Sequence, residues 1–213
     1  MNAPATAPRK GRKYDQVLEG ARKVFLSDGF EGASVDDIAR AAGVSKATLY
    51  SYFADKRLLF MEVAKRECAR AAAESLELVE TTAPPRCVLP VAARKMLDFV
   101  LSDLGQRVYR ICVAEADRFP ELGREFYDCG PALVRDRMKR YLSDACARGE
   151  LEIDDVDLAA DQFAELCKAD LHPRMVFGIK RSFTEEEVQR VIDGAVETFM
   201  ARYGRESSSS EKS

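Results

Sequence analysis

The fold is decided by residues 34–53, which read SVDDIARAAGVSKATLYSYF. Ser34 is followed three residues later by Asp37, which is the spacing of a capping box at the start of a helix. Gly43 suits the left-handed backbone that ends a helix, and Ser45 suits the start of the next one. Two short helices joined by such a turn predict a helix-turn-helix. The local spacing alone also fits an ordinary helical hairpin within a bundle.

Helical periodicity continues on both sides of this stretch. Upstream, apolar residues spaced three and four apart predict a helix over residues 14–28 that ends at Gly29. Downstream, Asp55 is placed to start a fourth helix that extends to about residue 80. Further periodic segments lie near residues 89–104, 106–116, 131–147, 158–171 and 185–203. The sequence therefore predicts an all-α fold of about nine helices, with an N-terminal three-helix domain and a helical C-terminal domain.

Composition divides the chain into four predicted parts. Residues 1–13 contain two prolines and a basic cluster, so we expect a flexible basic arm. Residues 14–54 form the predicted helix-turn-helix domain, and residues 55–205 form the helical domain that follows it. Residues 206–213 include four consecutive serines and predict a disordered tail. The composition of the arm fits either contact with a DNA backbone or a merely solubilising role.

Charge is distributed unevenly along the sequence. Residues 1–60 hold ten Lys and Arg against seven Asp and Glu, so this part carries a charge of +3. The whole chain carries −3, which leaves −6 for the remaining residues. A cationic N-terminal part attached to an acidic body suits a protein whose N-terminal domain approaches a polyanion.

Several classes of function lack the residues that they need. His172 is the single histidine, which leaves little material for Ser-His or Cys-His catalysis, and the six cysteines lack metal-ligand spacing. The sequence contains no P-loop and no G-x-G-x-x-G motif. We therefore expect no enzymatic activity, no metal site and no cofactor. Because no apolar run has membrane-spanning length and no signal sequence is evident, the expected location is the cytoplasm.

Two patterned stretches together match a known family. Residues 21–30 follow A-x3-F-x3-G-F, and residues 34–56 follow S-V-x2-I-A-x2-A-G-V-S-x2-T-L-Y-x-Y-F-x2-K. The match, which runs without gaps over residues 14–63, resembles the DNA-binding domain of the tetracycline-repressor (TetR/AcrR) family. The resemblance implies a transcription regulator, expected to be a repressor, that binds a palindromic operator in double-stranded DNA as a homodimer. It also implies release from DNA by a small-molecule effector.

The resemblance implies that the third helix, residues 46–52, is the recognition helix. Donor groups on one short helix suit phosphates and base edges. The implied DNA-contacting residues are Ser34, Ser45, Lys46, Ala47, Thr48, Tyr50, Tyr52 and Lys56. Asp36 departs from the family pattern, because some members have a basic DNA-contacting residue there and phosphates repel a carboxylate. We therefore expect little base reading from the second helix.

The resemblance also implies roles for the helical body. In the family, the last two helices of each subunit form a four-helix bundle, which here implies a dimer interface of Phe163, Leu166, Cys167, Val188, Ile192, Ala195 and Phe199. Burial of these residues within their own subunit remains an alternative. Apolar and aromatic residues of the middle helices are candidate walls of an effector pocket, namely Met96, Phe99, Val100, Tyr109, Cys112, Phe126, Tyr127 and Met138. We expect an apolar or aromatic effector.

Two functions therefore remain open. The first is a regulator that responds to an effector, and the second is an effector-independent DNA-binding protein whose body serves only dimerisation. A ligand-sized cavity in the body would distinguish them. In the first case, we expect the fourth helix to couple the two sites, because it starts beside the recognition helix and extends into the body.

Overall fold

Helices dominate the computed structural model, which describes residues 11–79, 82–114, 116–117 and 119–205. Within these ranges the only strand-like pairing is an isolated bridge between Leu151 and Gly204. The predicted all-α fold is confirmed. The helices are α1 (Arg12–Gly32), α2 (Val35–Ala42), α3 (Lys46–Tyr52), α4 (Lys56–Val79), α5 (Pro85–Val100), α6 (Asp103–Ala114), α7 (Pro120–Cys129), α8 (Pro131–Ala147), α9 (Val156–Lys168), α10 (Leu171–Val176) and α11 (Glu185–Tyr203). None of the described helices is both long and apolar enough to cross a membrane.

The described residues contain eleven helices rather than the nine that periodicity predicts. The additional ones are α7 and α10, which lie where prolines suggested interruptions of helical structure. Pro120 instead begins α7, and Pro173 lies in the first turn of α10. Proline is well tolerated there, because the first turn of a helix has no intrahelical partner for the missing N–H. For the same reason α5 begins at Pro85, four residues before its predicted start.

The N-terminal boundary also differs from the prediction. α1 begins at Arg12, so Arg12 and Lys13 belong to a helix and not to the predicted flexible arm. Residues 1–10 of that arm and the predicted tail, residues 206–213, lie outside the described residues. Gly29 interrupts the helical geometry near the predicted end of α1, with a φ of 70° that side chains other than glycine rarely adopt.

Packing divides the chain into two compact units. The first unit comprises the described residues up to Cys68 and those between 107 and 126. The second unit comprises the described residues between 69 and 106 and those from Tyr127 onward. The first unit therefore extends beyond residue 54, the predicted end of the helix-turn-helix domain. α4 contributes residues to both units.

The core of the first unit is built from the apolar stripes of α1 to α4. The stripe expected on α1 is buried in full, and α1 packs mainly on α2. An aromatic cluster adds to this core, because the rings of Phe25, Phe30 and Phe60 lie 5.1–6.0 Å apart, centroid to centroid. Aromatic contacts of this kind combine a large apolar area with defined ring geometry. They therefore hold the C-terminal end of α1 against the N-terminal end of α4.

The core of the second unit lies between α5, α8, α9 and α11. Phe199 of α11 is central to it, with its ring 5.3 Å from the ring of Phe163 on α9. α11 begins with a capping box, in which Thr184 and Glu187 each satisfy a backbone N–H of the other. Its end is held by the segment after α8, where the Glu152 N–H donates to the carbonyl of Tyr203 at 2.9 Å.

Candidate nucleic-acid interface

The turn between α2 and α3 has the geometry that the sequence predicts. The Ser34 hydroxyl accepts the Asp37 N–H at 3.1 Å, and the Ser45 hydroxyl accepts the Thr48 N–H at 3.1 Å. Gly43 between them has a φ of 64° and a ψ of 34°, in the left-handed region. Each short helix is therefore capped by its own residues, which fixes the direction in which α3 leaves the turn.

The cap of α2 is electrostatically reinforced. The Ser34 hydroxyl also donates to the Asp37 carboxylate, and Arg40 donates to the same group at 2.8 Å. The hydrogen bond from Ser34, followed by the charge of Arg40, holds the pKa of Asp37 below its usual range. Asp37 is therefore ionised at neutral pH and its charge is already balanced within α2.

α3 has one buried side and one exposed side. Leu49 is completely buried, and Phe53 just after the helix is buried as well. The opposite side presents Tyr50, which is 51% exposed, together with Lys46 and Ala47. The Tyr50 phenol and the Lys46 ammonium can both donate hydrogen bonds to a ligand, so this side is a candidate contact surface. Ser45 is also exposed at the start of the helix, while Thr48 is half-buried and its hydroxyl lies 2.9 Å from that of Ser45.

Tyr52 lies apart from the exposed side of α3. It is half-buried, and its ring packs edge-on against Tyr14 of α1 at 5.5 Å. Tyr14 is itself stacked on Phe53 at 5.4 Å. Burial, a hydrogen bond with Glu62 and the charge of that carboxylate raise the pKa of Tyr14 to about 12. The phenol of Tyr14 therefore stays neutral, and it joins α1, α3 and α4 in the described structure.

Lys56 has a structural role that the sequence does not indicate. Its ammonium donates to the carbonyls of Phe30 and Ala33, at 2.8 and 3.1 Å. The same Nζ lies 4.4 Å from the centre of the Phe30 ring, within range of a cation–π contact. Lys56 therefore fixes the end of α1 to the start of α4. The contact with phosphate that the family resemblance implies stays a prediction.

Replacing Lys56 with methionine is expected to lower the free energy of unfolding of the first unit by about 1–3 kcal/mol, because two carbonyls lose their donor. Urea titration monitored by circular dichroism measures this change. Lys23→Met is the matched control. Lys23 is 65% exposed, and its ammonium lies 4.0 Å from the carboxylate of Glu19, which is too far for a strong ion pair. Unchanged stability combined with weaker DNA binding would show instead that Lys56 acts mainly on phosphate.

One contact on this surface was not predicted. The ammonium of Lys46 lies 2.5 Å from Oδ1 of Asp36, and each side chain is 57% exposed. The pair links the first turn of α2 to the first residue of α3. The sequence signal that could have indicated it is the acidic residue at position 36, because a carboxylate on a DNA-facing surface needs a cation nearby.

The candidate effector residues are distributed over both units. Met96, Phe99, Val100, Tyr127 and Met138 belong to the second unit, whereas Tyr109, Cys112 and Phe126 belong to the first. Met138 is buried, most of the others are half-buried, and Tyr109 and Tyr127 are 40% and 52% exposed. A common pocket for these eight residues therefore stays a prediction.

The predicted interface residues lie in the core of the second unit. At most 8% of Phe163, Cys167, Val188, Ile192, Ala195 and Phe199 is exposed, and only Leu166 is half-buried. They pack against α5 and α8 of their own subunit, which is the alternative that their spacing had left open. Side chains so enclosed are not available to a second subunit, so an interface on α9 and α11 must use the other faces of these helices.

Comparisons with known proteins agree with this geometry. Residues 17–63 match the family described as bacterial regulatory proteins, tetR family. Residues 87–205 match the AefR-like transcriptional repressor, C-terminal domain. Together the two matches include the helix-turn-helix and most of the helical body.

Curated relatives match mainly in the N-terminal part. The chain is 37% identical over 68 residues to the HTH-type transcriptional repressor AcnR of Corynebacterium efficiens, which covers 32% of this chain and 36% of the relative. It is 32% identical over 106 residues to the HTH-type transcriptional activator FasR of Mycolicibacterium smegmatis, covering 47% and 48%. The chain therefore spans about a third to a half of the length of these relatives.

Solved structures match over nearly the whole chain. A TetR-family transcriptional regulator from Mesorhizobium loti has a TM-score of 0.77 and 28% identity, covering 92% of this chain and 99% of that one. The Flavonoid-responsive Regulator FrrA has a TM-score of 0.64 and 35% identity, covering 92% and 100%. These relatives are transcription regulators, which confirms that the chain is not an enzyme. With the capped helix-turn-helix of α2 and α3, the matches show that the chain belongs to the TetR family of bacterial transcription regulators.

Proposed function

We propose that the protein is a repressor that binds a palindromic operator as a homodimer through α3 and leaves it when a small aromatic effector binds. The observation that carries this proposal is the exposed side of α3. There Lys46 and Tyr50 present donors on a helix whose direction is fixed by caps at Ser34 and Ser45. Such groups suit the phosphates and base edges of a major groove.

The operator prediction concerns Lys46 and Tyr50. Lys46→Ala is expected to weaken operator binding, because each half-site loses one hydrogen-bond donor of the recognition helix. Tyr50→Ala is expected to weaken binding roughly ten- to hundredfold, because a hydrogen bond to a charged phosphate is lost. The operator is first selected from a pool of random duplexes with the wild-type protein. Fluorescence anisotropy across a series of salt concentrations then measures the operator affinity of each variant and the salt dependence of that affinity.

Lys23→Ala is the control for these variants. It removes one exposed positive charge from α1, in the same unit, and should leave the salt dependence almost unchanged. Equal losses in Lys23→Ala and Lys46→Ala would show a general effect of net charge and would contradict a specific role for α3. Enrichment of no sequence by the wild-type protein would contradict operator binding itself.

For the homodimer we propose the outer faces of α9 and α11. An open groove of about 580 Å³ lies along these faces, lined among others by Leu158, Gln162, Leu166 and Thr198. Leu158 is 50% exposed, and with the half-buried Leu166 it gives this mixed surface an apolar part. Burial of this surface against a second copy would favour association, and two subunits would present two α3 helices to the half-sites of one operator.

An aromatic effector is the proposal for the helical body. It is supported by the apolar character of the candidate pocket residues and by the 35% identity to a regulator described as flavonoid-responsive. We propose that α4 couples the effector to DNA, because α4 contributes residues to both units. Linkage then requires that effector and operator weaken each other's binding by the same factor.

The effector prediction is tested with a panel of flavonoids. At least one compound is expected to raise the melting temperature of the protein and to weaken operator binding 5- to 150-fold, the usual range of allosteric coupling. Anisotropy titrations with and without the compound measure the factor. A compound that binds saturably and leaves operator affinity unchanged would contradict the coupling. Binding of none of the compounds would favour the alternative function, an effector-independent DNA-binding protein whose body serves only dimerisation.

A further inference from the structure

The ion pair between Lys46 and Asp36 joins α2 and α3 on the exposed side of the helix-turn-helix. The two charged atoms lie 2.5 Å apart, and both side chains keep 57% of their surface in solvent. Lys46 is the only charged residue of α3. The partner of this ammonium group therefore determines whether the exposed side of α3 carries a net positive charge.

The neighbouring acidic residue is used differently. Asp37 takes part in the cap of α2 and has its own cation in Arg40. Asp36 has no part in that cap, since the side chain that accepts from the backbone is Ser34. An ion pair this exposed contributes little to stability, because solvent screens it and two long side chains must be held in place. The ion pair lies beside Tyr50 on the surface proposed to bind DNA, so it is placed to contact bases.

The pair presents a hydrogen-bond donor directly beside an acceptor. An ammonium group only donates, and an ionised carboxylate only accepts. The major-groove edge of a G·C pair is complementary, because O6 and N7 of guanine accept and the N4 amino group of cytosine donates. Lysine is a preferred partner of the guanine atoms and aspartate of cytosine N4. An A·T pair has one donor between two acceptors, so one of its acceptors would stay unmatched.

We propose that Lys46 and Asp36 act as one unit that reads a G·C base pair in each half of the operator. Asp36 is then a specificity-determining residue contributed by α2, contrary to the expectation from sequence that this helix reads few bases. This inference rests on the proposed binding of an operator through α3. On other DNA, Asp36 neutralises Lys46 and is repelled by phosphates, so generic sequences gain little from the lysine.

The experiment compares the sequences that wild-type protein, Asp36→Ala and Lys46→Ala enrich from a pool of random duplexes. The wild-type protein should enrich a G·C pair at one fixed position in both halves of a palindrome. Asp36→Ala should lose discrimination at that position by roughly 5- to 150-fold and keep it elsewhere. It should also bind unselected duplex more tightly, with a salt dependence of log K that is steeper by up to about 1.8, because Lys46 of each subunit becomes free to contact one phosphate.

Lys46→Ala and Glu31→Ala complete the test. Lys46→Ala should relax the same base position as Asp36→Ala, because the two residues read one base pair. Glu31→Ala removes an exposed carboxylate from the end of α1 and should leave the enriched sequence unchanged. Circular dichroism verifies that each variant is folded, which is expected since both altered side chains of the pair are exposed.

Three outcomes would overturn the inference alone. The first is an unchanged base preference in Asp36→Ala, and the second is relaxation of different positions by Asp36→Ala and Lys46→Ala. The third is a change of base preference in Glu31→Ala equal to that in Asp36→Ala, which would show that Asp36 acts only through its contribution to net charge. Enrichment of no sequence by the wild-type protein would overturn operator binding itself, and this inference with it.

Discussion

Replacing Phe199 with alanine is expected to lower the free energy of unfolding of the second unit by about 3–5 kcal/mol. Phe199 is 1% exposed, and its ring lies 5.3 Å from that of Phe163 and 4.9 Å from that of Tyr203. Its removal would leave a cavity between α9 and α11 that the surrounding helices can fill only in part. Urea titration monitored by circular dichroism measures the loss, which is large relative to the usual stability of a domain.

Two variants on the same helix pair separate stability from association. Glu197→Ala, at an exposed position of α11 outside the residues that line the proposed groove, should change the free energy of unfolding by no more than about 0.5 kcal/mol. Leu158→Glu, on the outer face of α9, should keep the fold and shift sedimentation from dimer to monomer. A fully stable but monomeric Phe199→Ala protein would show that Phe199 lies at the interface after all.

The elements that could be predicted from the sequence are those fixed by local interactions. The caps at Ser34 and Ser45 involve residues three positions apart, and the left-handed turn at Gly43 depends on a single residue. The division of α3 into a buried and an exposed side follows from helical periodicity, with Leu49 on one side and Tyr50 on the other. Such features are visible in one sequence because each is complete within about one helical turn.

The interface prediction for α9 and α11 shows a limit of periodicity. A stripe of apolar residues at three-and-four spacing indicates a face that must be buried, and it does not indicate which surface buries it. Val188, Ile192 and Phe199 form such a stripe, and they pack within their own subunit. The face proposed for association is mixed, with Leu158 beside Gln162 and Glu165, so no apolar stripe indicated it.

Contacts between residues distant in sequence set another limit. Lys56 donates to a carbonyl 26 residues earlier, and this partner cannot be inferred from the residues near position 56. The family resemblance implies that Tyr52 faces DNA together with Tyr50, yet its ring packs on Tyr14, 38 positions away. Both side chains have the chemistry of a DNA contact, and only the tertiary structure shows what else they contact.

Gly20→Ala is expected to have the largest effect on the DNA-binding surface. A Cβ at position 20 would lie 2.5 Å from the backbone nitrogen and 2.6 Å from the Cβ of Ala42, closer than such atoms approach in proteins. α1 and α2 would have to move apart, and α3 would move with α2 because a short capped turn joins them. The first unit should lose about 1–3 kcal/mol of stability, although alanine is intrinsically the better helix former.

Operator binding by Gly20→Ala should fall at least roughly tenfold, since displaced side chains of α3 lose base contacts worth more than about 1.4 kcal/mol in total. Gly123→Ala is the matched control, because Gly123 also lies in a helix of the first unit and a Cβ there would meet no atom within 4 Å. That variant should gain about 0.5–1 kcal/mol from reduced backbone freedom and keep its operator affinity. The two substitutions are chemically identical, so opposite signs in urea titrations can arise only from the space around each glycine. A gain of stability in both variants would contradict the close crossing of α1 and α2 at Gly20.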